Sequence, residues 1–322
     1  MTMSGNILLI NTSKKECGIH QYGLNVFKAL EENQDKLEFN YFYGAPASAQ
    51  EFILLLDQRD YKAVIVNYVG AVMPWIKSFN YKAYKNTFFI DLIHEGIHLD
   101  HKNSFADYYF DFTLYASPLD RNEPNVFKLP RVLPKGTSTL FNNLPTKPRI
   151  GSFGFGILDR GWLQVIEKVQ DEFEEADIVF QMPFNSVVDP NGSYYARNTA
   201  YRCGQVKLKP NITLNISHHF LDPVEVVNWL ANNTINLFLY QEPNPKGISS
   251  TIDFALAANR PIGISSSPMF KHLSEVEPLI NTDKNTIASI IDKGPSVLDS
   301  YRKIWSSESF SAYLDSLLRS KL

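Results

Sequence analysis

Short apolar runs recur along this chain, each followed by a stretch with helical spacing, and this alternation limits the fold more than any other feature. Residues 6–10 (NILLI), 37–43, 63–68, 87–93 and 112–116 read as strands. Segment 18–31 reads as a helix whose apolar positions Tyr22, Val26, Phe27 and Leu30 share one face, and 51–56 supplies part of another. The pattern then repeats. IGSFGFG from Ile150 is a strand running into glycines, and 162–173 is an amphipathic helix with Val165, Ile166, Val169 and Phe173 inward. Segments 178–182 and 235–240 read as further strands. Asp222-Pro223 followed by Glu225 is a helix start with an N-cap, a proline in the first turn and an acid three residues after the cap; that helix ends near Asn232. Strands alternating with helices imply parallel sheets covered on both faces.

At 322 residues the chain is long for one core, so two domains are expected. The stretch KLPRVLPKGTSTLFNNLPTKPR has four prolines and no clear period, and reads as a connection. The expected plan is an N-terminal Rossmann-like domain over 1–130, a linker over 131–149 and a second Rossmann-like domain over 150–306. A helix over 307–322 packs back toward the first. Two α/β domains facing a cleft would bind a ligand at the carboxyl ends of their strands. A hydrophobic content of 44% with 20% charged residues describes a globular protein, and a net charge of −3 argues against a general nucleic-acid binder. Two cysteines, Cys17 and Cys203, and a first apolar run of only four residues (7–10) fit a reducing, cytoplasmic setting.

Two segments carry candidate chemistry. GISSTIDFALAANRPIGIS, 247–265, is a glycine turn with paired serines, a short apolar helix, an Asn stop and a buried strand. Gly247 lets backbone approach an anion, Ser249 and Ser250 add hydroxyls, Lys246 adds charge, and the helix start offers free N–H groups. The plainer reading is a strand–helix turn with Ser as N-cap. GSFGFGILDRG, 151–161, puts glycines and Arg160 at a second such junction, and the two together could hold a diphosphate.

At these residues the chain resembles retaining GT-B glycosyltransferases of the glycogen-synthase-like class (the GT4 type). CGIHQYGLNVFKAL is similar to the family's GGI-x-x-Y loop and first helix, which places Gly18 beside acceptor and donor phosphates. FFIDLIHEG resembles the strand ending in a His near the transferred sugar, which gives His94 that role. IGSFGFGILDRG is similar to the opening of the donor domain, with Arg160-Gly161 where Lys-Gly is usual, and FALAANRPIGIS resembles E-A-L-A-A-G-R-P-V-I-A-S with Asn259 for the Gly. The departures are specific. Lys246 and Phe254 stand where the family has glutamates, Phe155 where it has a diphosphate-binding Arg, and Asp253 or Glu242 are left for ribose or sugar hydroxyls.

The resemblance implies transfer of a sugar, with retention, from a UDP- or GDP-sugar to a hydroxyl acceptor on a glycan, polysaccharide or lipid-linked molecule. No cofactor and no metal are expected. Peripheral membrane contact is an open expectation, since no long basic amphipathic helix marks one, and the oligomeric state is left unread. Two alternatives stand beside it. HEGIH, 94–98, matches H-E-x-x-H, which on a helix would make a zinc hydrolase of His94, Glu95 and His98; a preceding strand and Gly96 argue against that helix. A catalytically inactive carbohydrate-binding relative is the other.

Overall fold

The computed structural model describes residues 5–15, 18–70, 72–94, 110–118, 123–136, 146–185, 189, 191–241 and 247–322. The chain divides into two compact units, one of Met1–Val132 with Lys303–Leu322, the other of Leu133–Arg302.

The first unit runs β1 (Asn6–Ile10), α1 (Gly18–Glu32), β2 (Asn40–Gly44), α2 (Ala49–Leu56), β3 (Tyr61–Asn67), β4 (Phe88–Ile93), β5 (Phe112–Tyr115) and β6 (Val126–Lys128). Its six strands lie in the order β2-β1-β3-β4-β5-β6, every pair parallel. Because side chains alternate along a strand, Ile7, Leu9, Ala63 and Ile65 join one core with Val26 and Leu30 of α1. Leu8, Ile10, Val64 and Val66 join the other, with Phe52 and Leu56 of α2. Both faces are therefore covered, and this is why these strands read as unbroken apolar runs. The C-terminal helix Ser307–Lys321 belongs to this unit and buries Phe310, Leu314 and Leu318 beside α1. Each such side chain contributes roughly 1.5–3 kcal/mol.

Strand β2 begins three residues later than the apolar run at 37–43 suggests. Leu37 and Phe39 are buried, but the backbone N–H groups of Glu38 and Phe39 donate to Asp315 of the C-terminal helix rather than to a strand. A distant carboxylate outcompetes local pairing there.

The second unit runs β7 (Arg149–Phe153), α3 (Trp162–Glu172), β8 (Glu175–Gln181), α4 (Tyr194–Gly204), β9 (Asn211–Ser217), α5 (Pro223–Ala231), β10 (Ile235–Phe238), α6 (Thr251–Ala257) and β11 (Ile262–Ile264), with short helical pieces after it. Its sheet has the order β11-β10-β7-β8-β9, again wholly parallel. The start of α5 carries a full capping box: Glu225 N donates to Asp222 Oδ1 at 2.8 Å and Asp222 N to Glu225 Oε2 at 2.8 Å. Helix α6 stops where Asn259 takes a left-handed φ of 52°, a conformation Asn tolerates better than most residues.

In each sheet the strand order reverses once, between β1 and β3 in the first and between β7 and β10 in the second. Crossovers leave such a point in opposite directions, so the loops at the carboxyl ends part and leave a crevice. Among the described residues, no helix is long and apolar enough to cross a membrane.

Candidate functional site

At the switch point of the second unit, the strand ends of β7 and β10 collect the candidate phosphate-binding groups. After β7 the chain turns at Gly154, whose φ of +150° glycine accepts readily; a Cβ there would lie 3.5 Å from Thr251 and 3.6 Å from the Tyr240 hydroxyl. The 3-10 turn Leu158–Arg160 then presses on the end of β10. Gln241 N donates to Asp159 O at 2.8 Å, and Gly161, left-handed at φ +76°, lies so close to the Leu239 carbonyl that a Cβ would overlap it. This contact sets the guanidinium of Arg160 over the Tyr240 ring, 4.4 Å from its centroid. The Tyr240 hydroxyl bonds Thr251 Oγ1 at 2.9 Å, and Ser249 Oγ donates to Tyr240 at 3.2 Å and meets Thr251 at 2.7 Å. Arg160, Tyr240, Ser249 and the start of α6 are thus one connected cluster around Gly154.

A cleft of about 500 Å³ adjoins the same strand end, lined by Gln164, Lys168, Tyr240, Gln241, Ser265 and Asp283 among others. Its polar wall is partly satisfied from within, since Ser265 Oγ donates to Tyr240 O and Ser266 Oγ to Asp283.

The switch point of the first unit holds a buried amide network. Asn11, just past β1, receives the N–H of Thr12 on its Oδ1 and donates from Nδ2 to His20 O at 2.9 Å and to the Tyr43 hydroxyl. Asn67, at the end of β3, donates to Asn11 Oδ1 and to Ile19 O, and its Oδ1 lies 2.6 Å from His94 Nε2. Gly23 of α1 makes room for this pair, because a Cβ there would stand 2.8 Å from the Asn11 amide. His94 meets the Tyr22 ring edge-on at 4.6 Å. Arg131, only 2% exposed, lies over the same ring at 4.7 Å and donates to Ala116 O. Burial, with the Arg131 charge second, pushes the His94 pKa down to about 3.

The sequence candidates fall as follows. Arg160, Ser249 and the start of α6 come together. Gly247 and Ser250 are half-buried in the same turn; Ser250 occupies the N-cap position without a side-chain cap bond. Ser249 is buried with its hydroxyl turned to Tyr240 and Thr251. Asp253 is 2% exposed within α6. Gly18 opens α1, exposed, with nothing near its missing Cβ, and the next carbonyl, Ile19 O, is held by Asn67 beside His94. Glu242 and Lys246 lie outside the described residues, as do Glu95 and His98 of the H-E-x-x-H match and Cys17. Among the described residues no three His, Cys, Asp or Glu side chains stand together as a metal-binding group.

His20 is buried, and its Nδ1 donates to Thr12 O at 2.6 Å. It fastens α1 to the loop after β1. Tyr240, Thr251, Asn11, Asn67 and Arg131 went unread as site residues. An Asn directly after or ending an apolar strand was the available signal for two of them.

No protein-family model matches the chain, and no curated protein matches it. Solved structures do. The chain is similar to Anabaena HepE in complex with UDP-glucose at 11% identity and a TM-score of 0.63, covering 98% of this chain and 100% of that one. It is similar to an α-glucosyltransferase in complex with UDP and a 13-mer DNA containing an HMU base, at 13% identity and a TM-score of 0.58, over 97% and 95% of the two chains. The apo form of the lipopolysaccharide outer core galactosyltransferase WaaB matches at 12% identity and a TM-score of 0.52, over 98% and 100%. At such identities the likeness is one of fold, and it spans nearly the whole chain. Two parallel α/β units in this order make a GT-B fold.

Proposed function

We propose that this chain is a glycosyltransferase that moves a sugar from a nucleoside-diphosphate sugar to a hydroxyl acceptor. The observation that carries the reading is the cluster at the β7–β10 switch point, where Arg160 on Tyr240, the Gly154 turn and the Ser249–Thr251 start of α6 converge. In such a transfer the acceptor oxygen bonds to the anomeric carbon, the acceptor proton is released, and the diphosphate leaves with the bonding electron pair. The charge that develops on the leaving oxygens calls for preorganised cations and N–H donors. Arg160 supplies the charge in this reading. Gly247, Ser249 and Ser250 are assigned backbone and hydroxyl contacts and Lys246 a second charge, while Gly18 and His94 keep the phosphate and sugar roles that the family resemblance gives them. Asp253 or Glu242 take ribose or sugar hydroxyls. No metal enters the scheme, and retention follows the family pattern.

UDP is the diphosphate to try first, because the HepE and α-glucosyltransferase structures carry it. Isothermal titration should show UDP binding that weakens tenfold or more in Arg160→Ala. Absence of binding to any nucleoside diphosphate would sink the reading.

One observation favours a second reading. Phe254, where the family resemblance calls for a glutamate, is buried with its ring edge against Phe153 at 5.8 Å. A chain that keeps the diphosphate grip without that carboxylate would bind a nucleotide sugar and not cleave it. Release of free UDP from UDP-sugars in the presence of an acceptor screen separates the two.

A further inference from the structure

The hydrogen bonds around His94 fix its protons. Thr12 N–H can only donate, so the atom it meets on Asn11 is the oxygen. The His20 carbonyl can only accept, so the other atom of that amide is the nitrogen. The same logic passes to the next amide. Asn67 offers one atom to Asn11 Oδ1 at 2.9 Å and to the Ile19 carbonyl at 2.8 Å, two acceptors, so that atom is its NH₂. The atom left facing His94 is therefore an oxygen with no proton, and a 2.6 Å contact to it requires Nε2–H.

We propose that Asn67 is a positioning residue that locks His94 as the neutral Nε2–H tautomer, leaving Nδ1 to meet the ligand as an acceptor for a hydroxyl. The ligand half of this statement rests on the donor-sugar reading above; the tautomer half does not. Both amides are fully buried, so water cannot substitute for either partner and the chain of donors has one consistent arrangement. Among the described residues Nδ1 has no hydrogen-bond partner. Among the described residues, the groups that face the ring from the neighbouring elements are Tyr22 of α1, Asn67 of β3 and Arg131 beyond β6. None is an anion, and Arg131 opposes a second ring proton. A neutral ring with a bare Nδ1 accepts from a sugar O–H. It offers nothing to a phosphate oxygen, which would need the imidazolium. The arrangement thus selects a hydroxyl over an anion at this position.

The test is the ring nitrogen spectrum of His94 in ¹⁵N-histidine-labelled full-length protein, assigned among the seven histidines by loss of signal in His94→Gln. The wild type should show the neutral Nε2–H pattern at about pH 7 and keep it at about pH 5, where an ordinary histidine is charged. An Nδ1–H pattern or an imidazolium at pH 7 overturns the proposal. Asn67→Ala should release the lock and mix the tautomers, and an unchanged Nε2–H signal there removes the positioning role. Should that variant not fold, Asn67→Asp serves: its carboxylate would accept the same bond and raise the His94 pKa by one unit or more, and an unmoved pKa overturns the contact. Adding UDP-glucose should shift the Nδ1 resonance while UDP does not. Equal responses, or none while calorimetry shows UDP bound, overturn the hydroxyl role. No UDP binding at all condemns the donor reading instead, and the tautomer stands or falls on the ligand-free spectrum.

Discussion

Gly161→Ala tests whether the Arg160 turn is held by its contact with the end of β10. Two costs separate cleanly. Gly161 has φ +76°, and a left-handed conformation costs an alanine about 1–2 kcal/mol. In addition the new Cβ would overlap the Leu239 carbonyl, whose oxygen a carbon approaches no closer than roughly 3.3 Å, and would stand 3.2 Å from Leu239 Cα. Backbone cannot swing aside as a flexible side chain can, so the turn and the strand end must part by roughly 1.5 Å. Overpacking of this kind adds about 1–3 kcal/mol. Gly192 is the control, because it has φ +72° but no atom within 4 Å of its missing Cβ. Gly192→Ala therefore carries the first cost alone. For a unit the size of Leu133–Arg302, each kcal/mol lowers Tm by roughly 2–4 °C. Gly161→Ala should lose about 4–20 °C by calorimetry, and Gly192→Ala about 2–8 °C. UDP affinity should fall about tenfold or more in the first, the effect of losing a charged contact worth about 1.5–3 kcal/mol, and stay unchanged in the second. Equal drops in Tm, with UDP affinity equal in both variants, would refute the argument that this contact positions Arg160.

Asp315 is 8% exposed and accepts from Glu38 N at 3.0 Å, Phe39 N at 3.3 Å and the Tyr41 hydroxyl at 2.9 Å. Burial, then the Asp315 charge, holds the Tyr41 phenol well above its ordinary pKa, so it stays a donor. Asp315→Ala should cost about 2–4 kcal/mol in urea unfolding, by stranding three donors, and a loss under about 1 kcal/mol would contradict the clasp. The His94 pKa is lowered by burial to about 3, below the value near 6.5 of the unfolded chain. Below about pH 6.5 the unfolded chain binds the extra proton and the folded one does not, so stability falls as pH drops toward 3, by at most about 1.4 kcal/mol per pH unit. His94→Gln should flatten that decline between pH 7 and 5 in urea midpoints, and an unaltered slope would count against a neutral buried ring.

Where a residue's fate was decided by its neighbours in sequence, the sequence disclosed it. Asp222, Pro223 and Glu225 form their cap from one another, and Asn259 ends α6 by its own conformational tolerance. The apolar runs of β1, β3 and β4 are buried on both faces and could hardly be anything else. Elements that depend on distant partners were opaque. β6 is three part-exposed residues defined by pairing with β5, and α4 buries only Ala196, Thr199 and Cys203, too few for a visible stripe. β9 alternates Ile212, Leu214 and Ile216 at a sheet edge, a period-two signal carried by the sequence itself. The site divides the same way. Glycines and Arg160 announce a turn, whereas Tyr240, Asn67 and Arg131 look like core until the fold brings them to a switch point.

That division bears on the two missing glutamates. A diphosphate is gripped largely by backbone and by cations, so its site survives in a glycine pattern even as side chains drift. Sugar hydroxyls are recognised by side-chain acceptors, which any element can supply, and no short motif need preserve them. Phe254 now packs against Phe153, and placing Glu there would bury a carboxylate beside an aromatic edge rather than aim it at a ligand. On the proposed reading, the acceptor comes from elsewhere. A glutamate and a neutral histidine with a bare ring nitrogen do the same work for a hydroxyl, since both accept its proton. An imidazolium could not, and the Asn11–Asn67 amides with Arg131 are the features that keep His94 from becoming one.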